Sequence, residues 1–203
     1  MKSYPTIPTK PPFDLPVYVF DKLDGSNIRA EWSKKKGFYK FGTRTRLVDD
    51  SDPLFGTTPE LIVDKYEDDI TKIANDMRWG SAVFFFEFFG PNSGFGLHVD
   101  EDHDVVLIDV SVYKKGMLDP KSFINTFSNV DTAAMLYSGN CTSDFISHVR
   151  EGILPGMTFE GVVCKMKHPK LGVSVGFKIK TLNWLHTLKQ HCAGDEEMFE
   201  KLQ

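Results

Sequence analysis

Residues 20–32 read FDKLDGSNIRAEW. Lys22 stands inside an apolar strand pattern, two residues ahead of Asp24-Gly25. Asp-Gly between two apolar runs is a hairpin signal, because glycine accepts the positive φ of a tight turn and aspartate bonds back to nearby amides. In an extended chain Lys22 and Asp24 point to the same face, and Ser26 and Asn27 can cap the turn. Two readings compete. The stretch is a hairpin carrying one solvated charge, or it presents a nucleophilic amine at the end of a strand.

Outward from this point, VYVFDKL (17–23), DGSN and IRAEW (28–32) read as strand, turn and strand. KKKG (34–37) is the next turn and FYKFGTRTRL (38–47) a third strand. DDSDPLFGTTPE is a loop. A helix follows, with Ile62, Tyr66, Ile70, Ile73 and Met77 recurring every three or four residues. Thr58 can cap it, Pro59 suits its first turn, and Gly80 lies past its end. SAVFFFEFFG (81–90) and DVVLIDVSVY (104–113) read as buried strands. Asp119-Pro120 opens a short helix through Phe123, Ile124 and Phe127, and Ser143 can cap another carrying Phe145, Ile146 and Val149. MTFEGVVCKMK and VSVGFKIKT return to strand, and from about 182 the chain reads helical to its end, with Trp184, Leu185 and Leu188 as packing residues. Strands joined by short turns favour an α+β class, antiparallel sheets with packed helices. The expected layout is a single domain over 1–203 with a helical tail at 182–203.

The 203 residues are 41% hydrophobic and 13% aromatic, enough for a core. A net charge of −4 excludes a protein that coats nucleic acid by overall basicity, so any such contact is local. Cys141, Cys164 and Cys192 have no metal-ligand spacing, which fits free thiols in a reducing compartment. Residues 1–16 hold five prolines and no apolar leader, and no apolar run approaches a membrane span of ~20 residues. The expectation is a soluble, cytoplasmic protein.

Several charges stand where they are costly. Glu87 in VFFFEFFG has three phenylalanines before it and two after. A buried carboxylate needs a partner, a ligand or a metal; otherwise Glu87 must lie on an exposed face. In VSVGFKIK, Val173, Val175, Phe177 and Ile179 share one face, while Ser174, Gly176, Lys178 and Lys180 share the other. Two lysines beside a glycine form a cationic shelf suited to phosphate, or a solvated edge protected by its charges. Glu160 in TFEGVV can hold Mg²⁺ or occupy a half-exposed strand position.

Taken in order, these four features resemble the covalent nucleotidyltransferases: ATP-dependent ligases and capping enzymes. Lys22-Leu23-Asp24-Gly25 resembles the K-x-D-G motif, Glu87 the acidic third motif, Glu160-Gly161-Val162-Val163 the fourth and Lys178-Ile179-Lys180 the fifth, over residues 17–181. Ser26-Asn27 is similar to the phage-type RNA ligase branch, as is Glu87-Phe88-Phe89-Gly90-Pro91. FGTRTR resembles the strand that carries a phosphate-contacting arginine there, with Arg44 ahead of Arg46. Two departures stand out. Ile108 occupies the place of the phenylalanine that stacks on adenine, so stacking becomes apolar contact. Only 22 residues follow Thr181, so a catalytic domain with no C-terminal OB fold is expected.

The resemblance implies that Lys22 attacks the α-phosphate of ATP to form lysyl-AMP, with Mg²⁺ or Mn²⁺. Glu160 would be the metal carboxylate. Glu87 would bind the ribose. Lys178 and Lys180 would act catalytically on the α-phosphate, and Asp24, Gly25, Asn27, Arg44 and Ile108 would complete nucleotide binding. AMP would pass to an RNA 5′-phosphate and be displaced by a 3′-hydroxyl, as in RNA repair, and a partner protein could supply further nucleic-acid grip. A phage or viral origin fits this branch. The alternatives are a DNA ligase core, a capping guanylyltransferase (disfavoured by Asn27 in the usual arginine position), and a noncatalytic module that binds nucleotides or RNA ends. DEDHD (100–104) lacks the spacing of a calcium loop; His186 with His191 and Cys192 reads as helix surface; GPNSGFG (90–96) lacks the GK[ST] of a P-loop. KKKG reads as a hairpin tip able to touch an RNA backbone.

Overall fold

A computed structural model describes residues 1–9, 14–91, 100–167 and 174–202. The chain forms β1 (Pro16–Asp21), β2 (Ser26–Ser33), β3 (Gly37–Gly42), β4 (Leu47–Val48), α1 (Thr58–Asp76), β5 (Ser81–Phe89), β6 (Asp104–Val112), β7 (Gly116–Met117), α2 (Pro120–Thr126), β8 (Met135–Asn140), α3 (Ser143–Arg150), β9 (Gly161–Lys167), β10 (Ser174–Lys180), α4 (Leu182–His191) and α5 (Glu196–Leu202). These divide into two compact units: residues 1–6, 24–133 and 167–174 in the first, and 7–23, 134–166 and 175–203 in the second. The division falls inside the Lys-x-Asp-Gly stretch, leaving Lys22 in the second unit and Asp24 in the first.

The first unit is built on a six-stranded sheet of order β4-β3-β2-β5-β6-β7. β2 and β5 run antiparallel from Ser26 opposite Phe88 to Ser33 opposite Ser81. Alternation therefore sends Ile28, Ala30, Trp32, Phe84, Phe86 and Phe88 to one face, all buried. α1 covers that face with Ile62, Tyr66, Ile70 and Ala74. The Tyr66 ring lies 5.0 Å from Phe86, and its hydroxyl donates to the Val105 carbonyl at 3.0 Å. Each large side chain so buried contributes roughly 1.5–3 kcal/mol. The opposite face carries Asn27, Arg29, Glu31, Phe85 and Glu87. Residues 1–4 lie on it: Arg29 donates to the Met1 carbonyl (2.9 Å) and Ser3 hydroxyl (2.8 Å), and Tyr4 donates to Asp109 (3.2 Å) with its ring edge-on to Phe85.

The second unit holds a four-stranded sheet of order β10-β9-β1-β8. Val17 and Val19 of β1, Val162, Cys164 and Met166 of β9, and Phe177 and Ile179 of β10 form one core with Phe145, Ile146 and Val149 of α3. All three cysteines are free, buried and in this unit. Burial pushes the Cys164 thiol far above its ordinary range. Among the described residues no helix is long and apolar enough to cross a membrane.

The architecture is the expected α+β, with local differences. The third strand stops at Gly42; the Thr43 hydroxyl accepts from the amides of Thr45 and Arg46, so Arg44 and Arg46 occupy a turn. α1 begins after Thr57, and Thr58 instead donates its hydroxyl to Phe55. The buried stripe of α1 ends on Ala74, with Met77 exposed at the C-cap. Thr142, one residue before Ser143, caps α3 through the Phe145 amide. Met135–Asn140, with its glycine and half-exposed pattern, carries no strand signal and becomes β8 by pairing with β1. The helical tail is two helices, broken where Ala193 and Gly194 take φ of 47° and 91°. Val173 and most of GPNSGFG lie outside the described residues.

Candidate active site

β1 is flanked by β8 and β9 and delivers Lys22 from its C-terminal end. The Lys22 amide donates to the Gly161 carbonyl at 3.0 Å, fixing the lysine backbone against the start of β9. Its side chain donates to Glu160 Oε2 at 2.7 Å, and Lys180 Nζ reaches the other oxygen, Oε1, at 3.0 Å. Glu160, 3% exposed, thus bridges two lysines that are 158 residues apart (180 − 22). This is the partner that a buried carboxylate requires.

Gly161 makes the bridge possible. Its φ is +138°, and a Cβ there would stand 2.2 Å from the Ile179 carbonyl and 2.8 Å from Lys180 Cα. Only glycine lets the two strands approach at the level of Glu160 and Lys180. Thr181 locks the same corner: its amide donates to the Glu160 carbonyl (3.0 Å), its hydroxyl donates to Phe159 (2.9 Å) and accepts from the Trp184 amide (3.0 Å) at the start of α4. Trp184 follows on the first turn, with its ring centroid 3.5 Å from Lys180 Nζ. Lys180 also donates to the Leu202 carbonyl at 3.2 Å. Burial, helped by the like charges of Lys22 and Lys178 and opposed by Glu160, pushes Lys180 down to about 8. One residue before Lys22, burial pushes the Asp21 carboxyl upward, against the bond it accepts from the Thr158 amide at 2.9 Å.

In the first unit, Asn27 and Glu87 are cross-strand partners on β2 and β5. Asn27 Nδ2 donates to the Phe86 carbonyl at 3.3 Å, while its Oδ1 is buried without a hydrogen-bond partner among the described residues. Such an orphaned acceptor is a place for a ligand donor. Gly25 owes its identity to this corner: a Cβ would stand 2.3 Å from the Phe88 carbonyl and 3.1 Å from Glu87 Cγ. Asp24 is buried beside it in sequence, and Glu87 is half-buried. Ile108 sits at a β-bulge, skipped in the pairing between Phe85–Asp109 and Phe86–Leu107; bulges re-aim side chains next to functional sites. Of the two arginines, Arg46 is engaged by Asp52 and lies over the Phe55 ring at 5.7 Å. The Arg44 guanidinium is exposed and makes no ion pair among the described residues.

The structure thus gathers Lys22, Glu160 and Lys180, with Lys178 beside them, and separately pairs Asn27, Gly25 and Glu87. Sequence reasoning misses Thr181, the ring contact of Trp184 with Lys180, and Tyr4. The signal for the first two was present as T-x-x-W after the lysine pair, a helix N-cap. Nothing in the sequence signals Tyr4 on Asp109.

Among the described residues no group of three or more His, Cys, Asp and Glu could hold a metal by itself. Glu160 is a single carboxylate, the number that Mg²⁺ takes when phosphates supply further ligands, so these residues fit a divalent ion arriving with a nucleotide.

No protein-family model matches the chain, and no curated protein matches it. Solved structures do. The chain is similar to Naegleria gruberi RNA ligase in a lysine-to-alanine variant with ATP and manganese, at TM-score 0.60, 16% identity, 85% of this chain and 51% of that one. A glutamate-to-alanine variant with AMP and manganese gives 0.63 and 15%, over 91% of this chain and 59% of that one. The same ligase with pyrophosphate gives 0.62 and 16%, over 86% and 52%. The chain spans between half and three-fifths of those proteins' length. At this identity the likeness concerns the fold: the chain has the α+β architecture of an RNA ligase nucleotidyltransferase domain.

Proposed function

We propose that this chain is an ATP-dependent RNA ligase-like nucleotidyltransferase of the phage-type branch, in which Lys22 becomes adenylylated. The observation that carries this reading is Glu160 bridging Lys22 and Lys180 at 2.7 and 3.0 Å. A structural ion pair needs only one cation. A carboxylate shared by the buried Lys180 and the part-buried Lys22 concentrates positive charge and a potential amine nucleophile in one place, as phosphoryl chemistry requires.

Lys22 must lose its proton before attack, to water at its part-exposed end, and the like charges of Lys178 and Lys180 favour its neutral amine. A P–N bond forms between Lys22 Nζ and the α-phosphorus as the P–O bond to pyrophosphate breaks, and pyrophosphate leaves with the electron pair. Lys180, like Lys178, would neutralise charge on the α-phosphate, a phosphate oxygen taking the place of the Leu202 carbonyl. Mg²⁺ or Mn²⁺ would be held by Glu160 together with the nucleotide phosphates, supplying charge neutralisation there. The family resemblance gives Glu87 the ribose hydroxyls, Asp24, Gly25 and Asn27 the nucleotide, Arg44 a phosphate and Ile108 the base. In the second step an RNA 5′-phosphate oxygen attacks the lysyl-AMP, the P–N bond breaks and Lys22 recovers a proton. A 3′-hydroxyl then displaces AMP.

Incubation with ATP labelled on the α-phosphate, followed by denaturation, tests the first step. Label should remain on the protein and be lost, by at least 10²-fold, in Lys22→Ala. Equal label in both proteins would end the assignment, and no label from ATP, GTP or NAD would favour a binding module.

A further inference from the structure

We infer that the far end of the six-stranded sheet is a binding subsite for single-stranded RNA, built by two lysine-rich turns around a cavity. This rests on the RNA substrate proposed above and gives that substrate a second place to hold. In sequence the turns SKKKGFY (33–39) and VYKKGM (112–117) are 73 residues apart, from Tyr39 to Val112 (112 − 39). The pairing brings them together: Ser33 of β2 lies opposite Ser81 of β5, Tyr113 donates its amide to the Ser81 carbonyl at 3.0 Å, and Lys34 donates to the Gly80 carbonyl at 3.1 Å. Lys34, Lys35, Lys36, Lys114 and Lys115 therefore emerge, all exposed, at one end of one sheet in a chain whose net charge is −4.

Between the turns opens a cavity of about 540 Å³, within the range of small-ligand pockets. Tyr39 and Tyr113 line it, and are 42% and 67% exposed. Exposing two large aromatic rings at one cavity is unusual for a surface left to water. Each ring has a lysine over it: Lys36 at 4.9 Å from the Tyr39 centroid and Lys114 at 5.5 Å from that of Tyr113. The polar lining includes Ser111, which accepts from Lys2 at 2.9 Å, and Glu31, which accepts from the Tyr39 hydroxyl at 3.0 Å. Glu31 thereby orients the Tyr39 ring and, among the described residues, is the one acid that lines the cavity.

Exposed rings flanked by cations match the chemistry of an unpaired strand. Bases stack on aromatic faces, and ammonium groups take the phosphates between them. A duplex hides its base faces and would use only the lysines. An acidic polypeptide would use the lysines but leave the rings without a partner, so the tyrosines decide between these occupants.

The test is anisotropy of a fluorescent single-stranded RNA of about 12 nucleotides, without ATP, across a range of salt. Replacing Lys34, Lys35 and Lys36 by Gln, or Lys114 and Lys115 by Gln, should make the slope of log K against log salt shallower by about 0.7 for each lysine that meets a phosphate. Tyr39→Leu and Tyr113→Leu should each weaken binding about fivefold or more, and Tyr→Phe at either position should keep most of it. Unchanged affinity in the lysine and tyrosine variants would overturn the inference, as would polyglutamate competing as well as RNA. Labelling from ATP, measured separately on the same variants, separates the two proposals. Label on Lys22 with RNA affinity indifferent to these residues sinks the subsite alone. RNA affinity that depends on them with no label sinks the adenylylation and leaves the subsite.

Discussion

Lys180 is held on three sides: by Glu160 at 3.0 Å, by the Leu202 carbonyl at 3.2 Å and by the Trp184 ring at 3.5 Å. Its place between burial, which favours the neutral amine, and Glu160, which favours the ammonium, brings its titration to about 8 from an ordinary 10.5. If its charge is needed on the α-phosphate, the rate of adenylylation should fall as pH rises through about 8. Lys180→Arg keeps its charge to above pH 12, so any activity it retains should lack that decline; a decline unchanged in this variant would assign it to another group. The stability sign is opposite. Between about 8 and 10.5 the unfolded chain holds the proton that the folded chain has released, so Lys180 makes the fold more stable as pH rises through that window. Lys22, Glu160 and Lys180 were legible as residues because each places a charge in an apolar strand. Trp184 was legible only as packing, since its second role depends on Thr181 turning the chain from β10 into α4.

At the scale of elements, β9 and β10 meet through Gly161 more closely than side chains allow. Gly161→Ala should cost roughly 2–5 kcal/mol, from a strained positive φ and a clash with backbone that cannot move aside. Its midpoint in urea should drop accordingly. Gly80→Ala, where an added Cβ meets nothing within 4 Å, should change stability by less than about 0.5 kcal/mol. Equal effects at the two positions would remove the close-approach argument. The strands that carry Glu87 and Lys180 were readable from alternation and apolar runs, while Glu160, read as a strand residue, lies just before β9, which starts at Gly161. The segment bearing Arg44 was misread for a physical reason: FYKFGTRTR alternates like a strand, but the Thr43 hydroxyl satisfies two backbone amides and closes a turn instead. The bulge that displaces Ile108 has no sequence signal either, because it is a property of the pairing between β5 and β6.

At the scale of the whole molecule, the α+β class and antiparallel pairing followed from strand signals joined by short turns. The partition into two units did not, because each unit is assembled from segments far apart in the chain. That partition distributes the cysteines unevenly. Cys141, Cys164 and Cys192 are all buried and all lie in the unit that carries Lys22, while Trp32 and Trp79 lie in the other. A maleimide therefore works as a stopwatch for one half of the protein. Its reaction should be at least 10²-fold slower than with a free thiol in the native state and accelerate only as the lysine-bearing half opens. Indole emission, dominated by two tryptophans against one, follows mainly the other half. If the two signals report one denaturation curve, the halves melt together; if alkylation leads, the half that holds Lys22 opens first. No engineered reporter is needed, because the native thiols already divide the molecule for the experimenter.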